Sequence, residues 1–91
     1  MAKHVPGKKG PYIMLYALST CPWCQKTKEL LANLSVDYYW IDLNTLDQAN
    51  TTQVLGALKA CGQVNSVPII LINGDTCIVG FQEEKIREVL G

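Results

Sequence analysis

The chain has 91 residues, of which 48% are hydrophobic and 18% are charged, a balance typical of one globular domain rather than of a disordered chain. Eight Lys and Arg residues balance eight Asp and Glu residues, so no excess of positive charge favours binding to nucleic acid. No apolar run approaches the roughly 20 residues that span a bilayer, and no apolar stretch typical of a secretory signal follows the basic N-terminus. We therefore expect a cytoplasmic protein that binds neither nucleic acid nor membranes.

The first third of the chain predicts a tail, a strand and a helix. Residues 1–10 are rich in Lys, Gly and Pro without periodicity, so we expect a flexible tail there and one domain over residues 11–91. The continuous apolar run Tyr12–Leu18 predicts a strand buried on both faces. Pro22 suits the first position of a helix, which the apolar spacing predicts to end near Asn33–Ser35.

The remainder predicts a strand, a helix, a hairpin and a last helix. Aromatic and β-branched residues in Val36–Leu43 favour a strand, and apolar residues at helical spacing follow it. Val67–Ile72 predicts a second buried strand, which Asn73-Gly74 joins through a tight turn to an antiparallel strand over Thr76–Val79. Apolar residues on one face predict a short helix over Gln82–Leu90.

This order of elements is typical of an α/β fold. Right-handed crossover makes the first two strands parallel, and the hairpin adds an antiparallel pair at one edge. We expect a four-stranded mixed sheet flanked by three helices, with helices on both faces.

The segment Cys21-Pro22-Trp23-Cys24 lies where the first strand passes into the first helix. A cysteine at a helix N-terminus faces unpaired backbone N–H groups and the positive end of the helix dipole, which favour the thiolate and lower the thiol pKa from its free value of about 8.5. Because the thiolate is the attacking species in disulfide exchange, we predict that Cys21 is the nucleophile. Cys24, one turn inside the helix, is predicted to resolve the mixed disulfide.

Other roles for the cysteines are less well supported. Cys21 and Cys24 could form half of a zinc site, but such a site needs a second pair of ligands at regular spacing. Cys61 and Cys77 do not supply it, so we expect no metal. A structural bridge between Cys21 and Cys24 would close a very small loop and add little stability. Uneven spacing also argues against a disulfide framework. We interpret Cys61 and Cys77 as isolated packing residues, with Cys61 a candidate regulatory thiol.

Val67-Pro68 is a second candidate part of the site. A proline that opens a buried strand marks an edge, a bulge or a cis bond. If the bond is cis, the Val67 backbone faces the active-site sulfur and can pair with an incoming peptide or thiol. Trp23 is predicted to contact substrate because the turn exposes it. Lys26 and Lys28 are interpreted as a solvated helix face that can add positive potential near the thiolate.

Several motifs together resemble the glutaredoxins and the related NrdH-type redoxins of the thioredoxin superfamily. They are Cys21-Pro22-Trp23-Cys24, Ser66-Val67-Pro68-Ile69, Ile72-Asn73-Gly74 and Gly80. The resemblance runs from about Tyr12 to the C-terminus and implies the thioredoxin fold with a cis-proline at Pro68. It implies a dithiol oxidoreductase that reduces protein or low-molecular-weight disulfides, with Cys21 and Cys24 catalytic. The implied substrate-binding residues are Pro22, Trp23, Val67, Pro68, Gly80 and Phe81.

Two departures from the glutaredoxin pattern concern glutathione. Glutaredoxins usually hold it with a Lys three residues before the first cysteine and with a Cys-Asp or Ser-Asp pair near the last strand, where this chain has Leu18 and Phe81-Gln82. The residues left to hold it are Trp23, Gln63, Val67 and Gln82. Gly80-Phe81 instead resembles the NrdH-type redoxins, which take electrons from thioredoxin reductase.

The resemblance also implies partners. We expect a monomer without a tightly bound cofactor that acts on protein disulfides and takes electrons from glutathione, from another low-molecular-weight thiol, or from thioredoxin reductase, a flavin enzyme. An alternative is a carrier of a [2Fe–2S] cluster bridged between two subunits through Cys21 and an external thiol, which Pro22 disfavours by stiffening the loop. A redox-inert interaction module is a third alternative.

Overall fold

A computed structural model of the protein describes residues 2–62 and 66–91. The strands are β1 (Lys3–Val5), β2 (Ile13–Ala17), β3 (Tyr38–Asp42), β4 (Ile69–Ile72) and β5 (Thr76–Val79). The helices are α1 (Pro22–Asn33), α2 (Gln48–Leu58) and α3 (Glu83–Leu90), and short 3-10 turns at Leu43–Thr45 and Lys59–Cys61 flank α2. None of the helices in these two ranges combines the length and the hydropathy needed to cross a membrane.

The strands form one mixed sheet in the order β1-β3-β2-β4-β5. Strands β2 and β3 are parallel, and the other neighbouring pairs are antiparallel. The predicted α/β architecture, with three helices around a mixed sheet, is confirmed. The prediction of four strands is wrong, because β1 pairs with β3 and adds a fifth strand at the edge.

Strand β1 escaped prediction because it is short and exposed and therefore shows no apolar pattern. Its pairing continues into a close approach at Gly7, where an added Cβ would collide with the Val36 carbonyl carbon. The next residue, Lys8, donates its backbone N–H to the Ser35 carbonyl at 2.8 Å. That residues 1–10 are a flexible tail stays a prediction, although part of this segment lies along the sheet.

Helices cover both faces of the sheet and bury a separate core on each. Strand β4 shows the division, since its side chains alternate between the faces. Ile70 and Ile72 pack in the core beneath α1 and α3, whereas Ile69 and Leu71 pack in the core beneath α2. We call these the α1-side core and the α2-side core.

The loop between β2 and α1 is held by a side chain from the turn that follows β3. The Ser19 backbone N–H donates to Asn44 Oδ1 at 3.0 Å, and Asn44 Nδ2 donates to Ser19 Oγ at 2.7 Å. Because parallel β2 and β3 end at the same edge of the sheet, the turn after β3 reaches the loop that leads to Cys21. Asn44 thus fixes the entry to α1.

Helix α3 depends on a single buried anchor. Ile86 is fully buried in the α1-side core, whereas Val89 on the same helix is 46% exposed. Replacing Ile86 with alanine is expected to lower the free energy of unfolding by about 2–5 kcal/mol, because it leaves a cavity where the side chain packed. Val89→Ala is the matched control, with an expected change within about 0.5 kcal/mol. Urea denaturation measures both, and equal losses would contradict this view of α3.

Candidate active site

Cys21 is the N-cap residue of α1, and Pro22 begins the helix. The cap has extended backbone dihedrals, with φ −96° and ψ 111°. The Cys24 backbone N–H donates a hydrogen bond to Cys21 Sγ at 3.1 Å, so the sulfur occupies the place of a capping oxygen. First-turn N–H groups and the helix dipole stabilise negative charge at this position. The predicted location of Cys21 at the mouth of a helix is confirmed.

Cys24 lies one turn inside α1 and is fully buried. Burial raises the pKa of its thiol to about 11, and the hydrogen bond with Cys21 adds to the rise, while the positive charge of Lys28 opposes it. The two cysteines of one motif therefore sit in different surroundings. Cys21 is partly exposed at the helix end, and Cys24 is enclosed and protonated at neutral pH.

This difference predicts the order in which the reduced cysteines react with iodoacetamide. With a pKa of about 11, Cys24 is expected to be alkylated far more slowly than Cys21 at pH 7, and its rate should rise about tenfold per pH unit between pH 7 and 9, because only the thiolate reacts. Time-resolved labelling with peptide mass mapping measures both rates. Equal labelling of Cys21 and Cys24 at pH 7 would contradict the assignment.

A shallow groove of about 220 Å³ lies beside the motif. It is lined by Trp23, Ser66, Val67, Gly80 and Phe81. Trp23 is 55% exposed, and its ring stacks on that of Phe81 with the centroids 5.4 Å apart. The groove thus brings together four of the residues predicted to bind substrate, from three separate parts of the chain.

The two prolines predicted to bind substrate lie outside the lining of this groove. Pro68 is fully buried, and its role in substrate binding stays a prediction. Its bond to Val67 is cis, as the resemblance implies, and its carbonyl accepts the Gly80 N–H at 2.8 Å. Pro22 is exposed at the start of α1.

Two further residues were expected to hold glutathione. Gln82 Nε2 donates to the Val79 carbonyl at 2.7 Å, which ties this amide to the backbone. Gln63 falls outside the described residues.

Lys28 is not part of a solvated face, contrary to the sequence interpretation. Its side chain is 16% exposed, and Nζ lies 3.6 Å from the centroid of the Trp40 ring. Nζ is also 3.7 Å from Asp42 Oδ1, a buried oxygen with no hydrogen-bond partner within the described residues. Sequence spacing could not show this cluster, because Trp40 and Asp42 come from β3.

Removing the Lys28 charge is expected to destabilise the fold. Lys28→Met should lower the free energy of unfolding by about 1–3 kcal/mol, because it leaves the partly buried Asp42 carboxylate without its cation. Lys26→Met is the matched control on the same helix, since Lys26 is exposed and should change stability by less than about 0.5 kcal/mol. Urea denaturation of both variants tests this, and the pairing is refuted if the two behave alike.

Cys61 and Cys77 are not isolated residues, which corrects the sequence interpretation. Their sulfurs form a disulfide between the 3-10 turn after α2 and strand β5, with the Cα atoms 5.5 Å apart. Their sequence separation of 16 gives no sign of the pairing, because only the packing of the α2 end against β5 brings them together.

Comparison with known proteins agrees with the fold. The sequence model of the glutaredoxin family matches residues 13–77. The chain is similar to the glutaredoxin of Methanosarcina mazei Go1, with 37% identity and a TM-score of 0.91 over 99% of this chain and 87% of that one. It is similar to the NrdH-redoxin of Escherichia coli, with 26% identity and a TM-score of 0.65 over 86% of this chain and 93% of that one.

A similar sequence comes from Clostridium pasteurianum. It is a glutaredoxin-like 8.6 kDa protein, 35% identical over 78 residues, which make up 86% of this chain and 96% of that protein. The family match includes the whole of β2, α1, β3, α2 and β4, and therefore both cysteines of the motif. The chain belongs to the glutaredoxin family and has the thioredoxin fold.

Proposed function

We propose that the protein reduces disulfides by a dithiol mechanism in which Cys21 attacks and Cys24 resolves. The observation that carries this proposal is the hydrogen bond from the Cys24 N–H to Cys21 Sγ at 3.1 Å. It fixes the Cys21 sulfur at the positive end of α1, where a thiolate is stabilised. The same bond keeps Cys24 directly beside the sulfur that it has to attack.

The reaction takes place in two exchanges. The Cys21 thiolate attacks one sulfur of the substrate disulfide, forms a mixed disulfide and releases the other substrate sulfur as a thiolate. Cys24 then loses its proton and attacks Cys21 Sγ, which releases the second substrate thiol and leaves a Cys21–Cys24 disulfide. Two electrons pass to the substrate, and an external donor returns the pair to the dithiol.

The groove supports an extended peptide or a small thiol as the substrate. Two segments line the groove, Ser66 and Val67 before β4 and Gly80 and Phe81 after β5, and we call them its two walls. A peptide bound in the groove would contact the backbone of both. Trp23, which lies between the two cysteines of the motif, stacks its ring on Phe81 and completes the lining. Apolar contact with these rings would hold the substrate while Cys21 reacts.

The lining of the groove favours a protein donor over glutathione. Glutathione carries two carboxylates and an ammonium group, and none of the five lining residues is charged. Leu18 and Phe81 further take the places of two polar anchors common in glutaredoxins. The similar Escherichia coli NrdH-redoxin is described as having a thioredoxin-like activity profile, which supports thioredoxin reductase as the donor here.

Two coupled assays test the function and the donor. The protein is supplied with a protein disulfide and NADPH, together with either thioredoxin reductase or glutathione and its reductase. We expect turnover with both and a higher kcat/KM with thioredoxin reductase. Absence of turnover with both donors refutes the dithiol function. Anaerobic reconstitution with iron and sulfide separates the alternative, since a cluster carrier would acquire visible absorption.

A further inference from the structure

Besides the free thiols of Cys21 and Cys24, the protein has a second pair of cysteines, which form a disulfide. The Cys61–Cys77 bond links the end of the 3-10 turn after α2 to the edge strand β5. Neither residue belongs to the mechanism proposed above. A disulfide in a protein that handles thiols and disulfides is exposed to the same exchange chemistry as its substrates.

The position of this bond permits a thiol to reach it without unfolding the protein. Both cysteines are partly exposed at the margin of the α2-side core. The buried part of that core is formed by other residues, namely Tyr16, Ile41, Val54, Leu58, Ile69 and Leu71. The packing of α2 on the sheet therefore has its own apolar contacts, which remain when the bond opens.

The bond also ties together the supports of the two walls of the groove. Val67, from one wall, packs against the same α2-side core as Cys61 and Cys77. The other wall, Gly80 and Phe81, directly follows β5, the strand that carries Cys77. The Gly80 N–H also donates to the Pro68 carbonyl. A shift of β5 relative to α2 would therefore move both walls of the groove.

We propose that Cys61 and Cys77 form a second thiol–disulfide site, which exchanges with small-molecule thiols and in its oxidised form holds the groove in its substrate-binding shape. The effect on substrate binding rests on the proposed function, whereas the exchange itself does not.

Reduction of the Cys61–Cys77 bond consumes two equivalents of a small thiol. The thiolate of the first attacks one sulfur of the Cys61–Cys77 bond, forms a mixed disulfide and releases the other cysteine as a thiolate. The thiolate of the second attacks the small-molecule sulfur of the mixed disulfide and releases the second cysteine as a thiolate, which takes up a proton. The products are two protein thiols and one small-molecule disulfide, so that two electrons and two protons pass to the protein.

Exchange is tested in a Cys21→Ser/Cys24→Ser variant, in which only Cys61 and Cys77 can react. The oxidised folded variant should take up no iodoacetamide, and after treatment with glutathione or dithiothreitol both cysteines should be labelled, with the circular dichroism spectrum unchanged. Labelling before reduction would show that the bond does not form in solution. Labelling only in urea would show that the bond is inaccessible in the native fold. Either result overturns the proposal.

Coupling to the groove is tested by calorimetry with a peptide that contains an S-methylated cysteine, which cannot react. The same Cys21→Ser/Cys24→Ser variant is measured with Cys61–Cys77 oxidised and then reduced. Reduction is expected to raise the Kd by about threefold or more, because binding must then reorder a loosened groove. Adding Cys61→Ser/Cys77→Ser should give the weaker Kd under both conditions.

Equal affinity in the two states, including no binding in either, overturns the coupling. Failure of the proposed function is seen separately, as absence of disulfide reduction by the wild-type protein. Labelling of Cys61 and Cys77 in the serine variant does not depend on that activity. The two failures are therefore distinguishable.

Discussion

Replacing Cys21 with serine is expected to lower turnover of a protein disulfide by on the order of 10³-fold or more, because a serine hydroxyl is not ionised at neutral pH and cannot attack sulfur as a thiolate does. Cys24 cannot substitute for it, since its thiol is fully buried and its pKa is raised to about 11. The NADPH-coupled assay with excess reductase measures the loss.

The choice of serine separates chemistry from folding. Serine is a good N-cap residue, so its hydroxyl can accept the hydrogen bond that Cys21 Sγ receives from the Cys24 N–H and keep α1 intact. Cys21→Ala should be equally inactive and should in addition lose about 1 kcal/mol of stability with the cap. If Cys21→Ser retains a substantial share of wild-type turnover, Cys21 is not the nucleophile.

The features that could be predicted from the sequence are those set by local rules. Pro22 predicts the start of a helix and therefore places Cys21 at its mouth, and the structure has both residues there. The turn at Asn73-Gly74 is predicted because these two residues readily adopt the positive φ angles that it needs, and the observed values are 54° and 77°. In both cases a few adjacent residues determine the backbone.

The features that escaped prediction depend on contacts between distant segments. Strand β1 exists through pairing with β3, and its three residues carry no pattern of their own. The position of Lys28 on its helix predicts a solvated side chain, whereas its ammonium group lies over the ring of Trp40 from β3. Cys61 and Cys77 are joined through the packing of two elements, and four cysteines allow three pairings that spacing alone does not separate.

Replacing Cys24 with serine is expected to trap the protein between the two exchanges. Cys21 can still attack, but no internal thiol can then release the product, so a mixed disulfide between Cys21 and the substrate should accumulate. Turnover of a protein disulfide should fall by about 10²-fold and recover as an external thiol is added, because the external thiol takes over the second exchange. Acid-quenched mass spectrometry detects the adduct and locates it by peptide mapping.

Cys21→Ser under the same conditions is the control and should show no adduct, because the buried Cys24 is reached by a substrate only through Cys21. The two variants are therefore expected to give opposite results, an adduct in Cys24→Ser and none in Cys21→Ser. An adduct at position 24 in Cys21→Ser would mean that the helix opens enough to expose Cys24. The burial of Cys24 and the capping position of Cys21 both imply separate roles for the two sulfurs, and that separation would then be wrong.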